Sequence, residues 1–299
     1  MSRLLTSFFV VGMKNQSCFF PFSFFFIIFA TQIHEAVTMK KYVLDLTVAH
    51  SERLNEKYVL LKLTHQDPLP PMLPGQFVEV KVDGEPSTFL RRPVSINFVD
   101  AERNELWLLV AAIGPGTRRL AQLLEGERLN CVFPLGNGFT MPQKRLADGS
   151  KPNVLLVGGG VGVAPLLFFG KQLRENGLQP TFLLGARTGH DLLLLDQFER
   201  FGRVCVTTED GSVGEKGFVT QHSVLFNEHF HQISTCGPKP MMVAVAHFAQ
   251  KMGVFCEASL ENMMACGLGA CLCCVEKTVR GNVCVCKEGP VFDVTQLTW

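Results

Sequence analysis

The chain has 299 residues, of which 47% are hydrophobic and 18% are charged, and its formal net charge is +1. This length suggests two domains with a small appendage, and the near-neutral net charge gives no basic field that would favour nucleic-acid binding. Six of the eleven cysteines lie between Cys266 and Cys286, which is typical of metal ligation rather than of a disulfide framework. The sequence therefore predicts a reducing compartment, the cytoplasm.

The first 38 residues differ from the rest of the chain. They contain nine of the 25 phenylalanines and only three charged residues. The apolar run from Cys18 to Ala30 is shorter than the roughly 20 residues of a membrane span, and no small-residue cleavage site follows it, as it would in a signal peptide. We therefore interpret residues 1–38 as an extension or a mis-called start before Met39, with a signal-like segment as the alternative.

Residues 39–147 carry several short strand patterns. Apolar or alternating runs are separated by turns rich in proline, glycine and aspartate, and these runs are YVLLKLTH, GQFVEVKV, RRPVSINFV and ELWLLVAAI. One helical pattern, TRRLAQLL at 117–124, follows them. Such a series predicts an antiparallel β-barrel with a short helix.

Strands and helices alternate in residues 148–254. VLLVGGGVGVAPLLFFGKQLRENG predicts a buried strand, a glycine turn and a helix that ends at Gly177, and PMMVAVAHFAQKMG predicts a later helix. Further strands are predicted at TFLLGAR, RVCVTTED and QISTCG. This alternation indicates an α/β domain with a parallel sheet. From residue 255 onward the chain is cysteine-rich, and a small loop-like third unit is predicted there.

The strongest motif lies in this third unit. Cys266, Cys271 and Cys274 have four and two residues between them, which is the spacing of plant-type 2Fe-2S ferredoxins. Four thiolates must converge on two irons, and Gly267 and Gly269 allow the backbone to wrap closely around them. The sequence therefore predicts a 2Fe-2S cluster.

The fourth ligand is Cys284 or Cys286, and the spacing does not separate them. A structural zinc site is the alternative to a cluster, but it usually has two short cysteine pairs with two to four residues between the members. Cys284 and Cys286 are separated by one residue, which makes them a poor second pair.

A second motif follows the first strand of the α/β domain, in a turn that contains Gly158, Gly159, Gly160 and Gly162. Glycines at a helix N-terminus allow a pyrophosphate to approach the backbone. Pro165 stands where a third motif glycine would lie, and no acidic residue follows at the usual distance, so a plain connecting turn is the alternative. CGPKPMM, from Cys236, is a second strand-to-helix junction, and two such junctions favour one nucleotide crevice.

A third motif, RRPVSI, lies in the barrel. Arg92 could pair with a phosphate and Ser95 could donate to a flavin ring, although a solvated strand end would look the same. The turn GPGT at 114–117 opens the predicted helix and is a second candidate anion site.

Together these motifs resemble the ferredoxin reductase-like flavoproteins, whose barrel binds FAD through Arg-x-x-Ser and whose second domain binds a nicotinamide nucleotide. Within them, ENMMACGLGACLCCVEK and CKEGPVFD are similar to the electron-transfer subunits of NAD-dependent, type B dihydroorotate dehydrogenases. The likeness runs from about Met39 to Trp299, and residues 1–38 match nothing in the family. It implies an FAD-binding barrel at 39–147, an NAD-binding domain at 148–254 and a 2Fe-2S subdomain at 255–299.

The resemblance also implies which residues bind each cofactor. The FAD contacts would be Arg92, Pro93, Val94, Ser95, Leu109, Val110, Ala111, Gly116 and Thr117. The NAD contacts would be Gly158, Gly159, Gly160, Gly162, Pro165, Cys236, Gly237 and Pro238. The family places the fourth cysteine directly before an acidic Gly-Pro-Val-Phe segment, so the cluster ligands would be Cys266, Cys271, Cys274 and Cys286.

The reaction implied by the resemblance is the oxidation of dihydroorotate on a separate FMN-bearing subunit, in a heterotetramer with two copies of each chain. Electrons would pass through the 2Fe-2S cluster and FAD to NAD in pyrimidine biosynthesis, and the cysteine-rich unit would lie at the subunit contact. No acid-base residue for dihydroorotate is expected in this chain. The alternatives are a ferredoxin:NADP or sulfide dehydrogenase subunit and, in another class, a zinc-stabilised binding module without a redox role.

Overall fold

A computed structural model of the chain describes residues 40–299, so the interpretation of residues 1–38 lies outside the described residues. The strands are β1 (Tyr42–Arg53), β2 (Tyr58–Thr64), β3 (Phe77–Val80), β4 (Arg92–Asp100), β5 (Glu105–Ala111), β6 (Arg128–Leu135), β7 (Val154–Gly159), β8 (Thr181–Ala186), β9 (Arg203–Thr208), β10 (Glu215–Lys216), β11 (Gln232–Cys236), β12 (Phe255–Ser259), β13 (Val275–Thr278), β14 (Gly281–Cys284) and β15 (Val291–Asp293). The helices are α1 (Pro115–Leu120), α2 (Ala164–Glu175), α3 (Leu195–Glu199), α4 (Val224–Asn227), α5 (Lys239–Met252) and α6 (Val285–Glu288).

The first six strands close an antiparallel barrel in the order β1-β2-β5-β4-β3-β6, which confirms the predicted barrel. Side chains alternate between the two faces of a strand, so Leu61 and Leu63 of β2 fill the barrel core while Leu60 points outward. Leu60 is nevertheless buried, because helix α2 and its neighbours cover this side of the barrel.

Helix α1 begins and ends earlier than the helix predicted at 117–124. Pro115 suits the first turn because its φ is already helical. The Thr117 hydroxyl accepts hydrogen bonds from the amides of Ile113 and Gly114 at 3.1 and 3.0 Å. After Leu120 the chain turns towards β6 and does not continue the helix, so the predicted bounds were wrong.

The second sheet has the order β10-β9-β8-β7-β11-β12-β15. Its strands are parallel except β15, which pairs with β12 in the antiparallel sense, and the predicted α/β domain is confirmed. Strand β12 was not predicted: Phe255–Ser259 was expected to open the loop-like unit, but it pairs in parallel with β11. The cysteine-rich segment is thus joined to the sheet at both of its ends, through β12 and β15.

The barrel and the parallel sheet share a hydrophobic core. Phe98, Trp107 and Leu109 on the outer barrel surface pack with Leu166 and Phe169 of α2. Residues 40–299 form one compact unit, so the limits of the domains within them stay predictions. Among the helices in this part of the chain, none has the length and apolar character to cross a bilayer.

Candidate functional site

The glycine turn after β7 and the junction after β11 lie side by side. Gly158 pairs with Cys236 across the two strands. A Cβ atom on Gly162 would lie 2.4 Å from the Gly237 Cα atom, so only glycine allows the two turns to approach this closely. The structure therefore brings together the two motifs that were expected to form one crevice.

This crevice is a cavity of about 780 Å³. Of the predicted NAD residues, four line it: Gly159, Gly160, Gly162 and Pro238. The other four, Gly158, Pro165, Cys236 and Gly237, are buried behind its wall. Tyr58 of the barrel also lines the cavity, and the pKa of its hydroxyl is raised, chiefly by burial.

A second cavity, of about 200 Å³, lies against the barrel. Seven of the nine predicted FAD residues line it, namely Pro93, Val94, Ser95, Leu109, Val110, Ala111 and Thr117. The remaining two residues, Gly116 and Arg92, adjoin each other. A Cβ atom on Gly116 would lie 3.1 Å from the Arg92 Nε atom. Arg92 itself donates to the carbonyl oxygens of Leu90 and Arg91, each at 3.1 Å.

The two cavities are neighbours. They share four lining residues, which are Ala111, Ile113, Val161 and Glu261. The cysteine-rich segment also reaches the smaller cavity, where Met264 lies two residues before Cys266 and Pro290 lies four residues after Cys286. One continuous region thus connects the cysteines, the barrel cavity and the large crevice.

The predicted cluster cysteines occur as two pairs. The Cys271 thiol contributes to lowering the pKa of Cys266, and Cys274 contributes to raising the pKa of Cys286. Within residues 40–299, no three His, Cys, Asp or Glu side chains converge as the ligands of a single ion. Both pairs lie within the cysteine segment in which the sequence predicts the cluster.

Backbone amides point at these sulfur atoms. The amides of Leu268, Gly269 and Cys286 donate to Cys266, Cys286 and Cys274, at 3.3, 3.1 and 3.4 Å. Positive φ angles of 66° at Gly267 and 82° at Gly269 shape the loop that aims them. Amide donors of this kind stabilise negatively charged sulfur, so the residues fit an iron-sulfur cluster.

The backbone amides of this loop also affect the pKa values of the cysteines. Burial alone would raise the pKa of Cys266, but the amides of Leu268, Cys271 and Ala270 and the Cys271 thiol lower it to about 6. Burial raises the pKa of Cys286 to about 12, although a bound metal deprotonates a coordinating thiol outright. The Cys266 site therefore favours a thiolate before any metal arrives.

Glu79 of β3 lies beneath the cysteine loop. It is 0% exposed, and its carboxylate oxygens have no hydrogen-bond partner within the described residues. A Cβ atom on Gly267 would lie 2.6 Å from the Glu79 Cγ atom, so the loop rests directly on this side chain. Burial raises the pKa of Glu79 to about 7, against the opposing effect of Arg91.

Comparison with known proteins identifies two matching families. Residues 261–298 match the iron-sulfur cluster binding domain of dihydroorotate dehydrogenase B, and residues 156–247 match the oxidoreductase NAD-binding domain. The dihydroorotate dehydrogenase B (NAD+) electron transfer subunit of Shouchella clausii is 38% identical over 75% of this chain and 86% of its own length. The subunit of the same name from Bacillus caldolyticus is 37% identical, over 83% and 95% of the two chains.

The chain belongs to the family of dihydroorotate dehydrogenase B electron transfer subunits. This electron transfer subunit also resembles proteins of known structure. A chain of the NADH-dependent reduced ferredoxin-NADP oxidoreductase superposes with a TM-score of 0.76 and 30% identity, over 85% of this chain and 90% of that one. Phthalate dioxygenase reductase, at 23% identity and a TM-score of 0.55 over 70% and 64%, shares the fold.

Two residues of this electron transfer subunit that lie at or beside its predicted cofactor residues were missed from the sequence. Glu261 lines both cavities, and its Oε1 atom lies 3.8 Å from the Cys236 Sγ atom. Although Glu261 is open to the cavities, the surrounding protein desolvates its carboxyl and raises its pKa. Its position just beyond the carboxyl end of a parallel strand was the available signal, but that strand, β12, was itself not predicted.

Thr88 is the second missed residue. Its hydroxyl is buried without a hydrogen-bond partner among the described residues, and a Cβ atom on Gly116 would lie 2.9 Å from the Thr88 Cγ2 atom. It therefore lies with Gly116 and Arg92, where the phosphates of FAD were expected. No local motif marks Thr88, because the loop before β4 brings it to this position.

Proposed function

We propose that this chain passes electrons from the FMN of a catalytic dihydroorotate dehydrogenase subunit, through a 2Fe-2S cluster and FAD, to NAD+ in pyrimidine biosynthesis. The observation that carries the proposal is the continuity of the three sites. The cysteine segment contributes Met264 and Pro290 to the barrel cavity, and that cavity shares a wall with the large crevice. Electrons entering at the cysteines therefore have a short path through adjoining sites.

Each cofactor is assigned to residues of this chain. The cluster is held by Cys266, Cys271, Cys274 and Cys286, and Cys286 is supported because its sulfur accepts the Gly269 amide, whereas the Cys284 thiol donates to the Gly269 carbonyl. FAD would be held by Arg92, Pro93, Val94, Ser95, Leu109, Val110, Ala111, Gly116 and Thr117. NAD would be held by the turns that contain Gly158, Gly159, Gly160, Gly162, Pro165, Cys236, Gly237 and Pro238.

The role of each group of residues follows from its position in the structure. When bound, the cluster carries single electrons, and a flavin accepts them singly and passes two together to a nicotinamide. Gly162 and Gly237 keep the two turns close enough to hold the dinucleotide, and the apolar Ile113 and Val161 line the place where the cavities meet. Glu261 lies at the same junction, where its carboxyl can orient a polar group of either cofactor.

The partner is the catalytic subunit that an electron transfer subunit requires, and we propose that it carries FMN and forms a heterotetramer with two copies of each chain. The cysteine loop suits this contact, because Leu268 and Leu272 within it are 47% and 65% exposed. All cysteines in the described part of the chain are free thiols, which supports a location in the cytoplasm.

Co-expression with a candidate FMN-bearing subunit tests the function. The complex should co-purify, show flavin and cluster absorbance, and reduce NAD+ in the presence of dihydroorotate. A matched complex with the Cys266→Ser variant should lose at least about nine-tenths of this activity, because one cluster ligand is missing. A wild-type complex with bound cofactors but no dihydroorotate-dependent NAD+ reduction would overturn the proposal.

A second candidate is the electron-transfer chain of a ferredoxin-NADP oxidoreductase, which the 0.76 TM-score and 30% identity to such a chain favour. It would use the same three sites with a different partner. If the purified chain fails to bind the FMN-bearing subunit but NADH reduces its flavin and reduced ferredoxin is oxidised in a complex with another partner, this second candidate is correct.

A further inference from the structure

Asn262 lines the smaller cavity, and its side-chain amide is held in one orientation. The amide nitrogen donates to the Glu276 Oε2 atom at 2.9 Å. A carboxylate oxygen accepts hydrogen bonds, so the amide nitrogen must face Glu276 and the amide oxygen must face away from it. Within residues 40–299, this oxygen has no hydrogen-bond partner. It is therefore available to a ligand in the cavity.

Glu276 is fixed from its other side as well. It lies on β13, in the hairpin that joins Cys274 to Cys286, and its side chain is 17% exposed. Its Oε1 atom lies 3.7 Å from the Nζ atom of Lys239, the first residue of α5. Glu276 does not itself line the smaller cavity. It can therefore act on a ligand there only by positioning the Asn262 amide.

The other polar side chains of this cavity differ from Asn262. The Thr117 hydroxyl already accepts hydrogen bonds from two backbone amides at the start of α1. The Ser95 hydroxyl can rotate and either donate or accept. Glu261 lies at the wall that this cavity shares with the large cavity. Asn262 thus offers this cavity a free, uncharged acceptor with a fixed direction.

The position of Asn262 indicates which part of a flavin ring it would face. A nicotinamide exchanges hydride with the flavin atom N5, so N5 must face the wall that the two cavities share. Asn262 directly follows Glu261 of that wall, and it lines the smaller cavity but not the large one. Its amide oxygen would then lie on the flavin side of the wall, beside the N5 edge of the ring.

We propose that the Asn262 amide oxygen accepts a hydrogen bond from the N–H group that flavin N5 carries in reduced FAD, and that Glu276 positions this oxygen. In oxidised FAD, N5 has a lone pair in place of the hydrogen, and two acceptors that face each other repel. The contact therefore favours reduced over oxidised FAD. The hydride that forms the N5–H bond brings both electrons from NADH, which leaves as NAD+, and the reverse transfer breaks this bond. The inference rests on the proposed flavin site.

The test is the midpoint potential of FAD in the purified protein with its flavin and cluster, measured by redox titration against reference dyes. Asn262→Leu keeps the size of the side chain but removes the acceptor. It should weaken the preference for reduced FAD about tenfold, which lowers a two-electron potential by about 30 mV.

Two variants of Glu276 test its positioning role. Glu276→Leu frees the Asn262 amide and should also lower the potential. Glu276→Gln should keep the wild-type potential, because its carbonyl oxygen can still accept from the amide nitrogen. Both variants lose the negative charge and the ion pair with Lys239, so the difference between them reports the hydrogen bond alone.

Asn282→Leu is the matched control, because Asn282 is exposed on β14 of the same hairpin and does not line the cavity. It should keep the wild-type potential. A wild-type potential in Asn262→Leu, an equal shift in Asn282→Leu, or equal potentials in the two Glu276 variants would overturn this inference alone. The two Glu276 variants decide the outcome if Asn262→Leu does not fold. If wild type binds no FAD, the proposed function fails together with the inference.

Discussion

Cys284 and Cys286 differ in what their sulfur atoms contact. The Cys286 sulfur accepts an amide hydrogen bond and is paired with Cys274, whereas Cys284 is half-buried and its thiol points at a carbonyl oxygen 3.9 Å away. A carbonyl oxygen beside a thiolate would be repulsive, so the Cys284 site favours a neutral thiol. The structure therefore supports the ligand that spacing alone left undecided.

The two cysteines make a matched pair of variants. Cys286→Ser should keep less than about a tenth of the wild-type iron and cluster absorbance, because a metal ligand is lost. Cys284→Ser should retain both, since its sulfur is not expected to bind iron. Iron analysis and visible spectra of the two purified proteins check this, and the opposite pattern would make Cys284 the ligand.

Glu79 predicts a pH dependence of stability. Its pKa in the folded chain is about 7, above the value of 4.5 for a free side chain, so the folded state binds more protons than the unfolded state between these pH values. Stability should therefore fall as pH rises from about 4.5 to 7, by at most about 3 kcal/mol, and then level off. Glu79→Gln cannot ionise and should lack this fall.

Urea unfolding at pH 5 and pH 8 measures the effect. An unpartnered glutamine amide would lower the free energy of unfolding equally at both pH values. The difference in this free energy between pH 5 and pH 8 therefore reports only the ionisation of the Glu79 carboxyl. Glu52→Gln, at an exposed position on β1, is the control and should show the wild-type pH dependence. A Glu79→Gln variant that loses as much stability as wild type between the two pH values would contradict this account.

At the scale of elements, the sequence correctly predicted the features that a local residue pattern determines. The alternation in β2 and the glycine turn after β7 follow from side-chain period and backbone freedom, and both are present where they were expected. The predicted bounds of helix α1 were wrong because the spacing of the apolar residues Leu123 and Leu124 resembles that of a helix. In the structure these residues follow the helix, and Leu123 is 5% exposed while Leu124 is 69% exposed. Strand β12 was missed because its burial depends on neighbours distant in sequence.

The arrangement of the sites depends on the same long-range contacts. Each glycine and cysteine motif could be found from spacing, but the shared wall of the two cavities joins residues of the barrel, of the glycine turn and of the segment after β12, which only the folded chain brings together. Glu261 and Thr88 carry no motif of their own for this reason. Their positions follow from strand order and from loop paths, which residue spacing does not encode.

At the scale of the whole molecule, the exposed cysteine loop predicts where the catalytic subunit binds. Leu272 is 65% exposed and has a φ of 58°, a conformation that aspartate tolerates. Leu272→Asp would place a charge in this exposed apolar part of the loop and should weaken binding of the catalytic subunit at least about tenfold. Because the nucleotide cavity is untouched, NADH-dependent reduction of an artificial acceptor such as ferricyanide should stay within about twofold of wild type.

The control is Leu124→Asp, which changes a leucine of similar exposure, 69%, in the loop after α1. Titration of the catalytic subunit into each variant, followed by assays with dihydroorotate and with the artificial acceptor, separates loss of docking from loss of cofactors. Weaker docking in Leu272→Asp alone would place the contact at the cysteine loop. Equal binding by both variants and wild type would move the contact elsewhere, because a charge buried in an interface without a partner cannot leave its affinity unchanged.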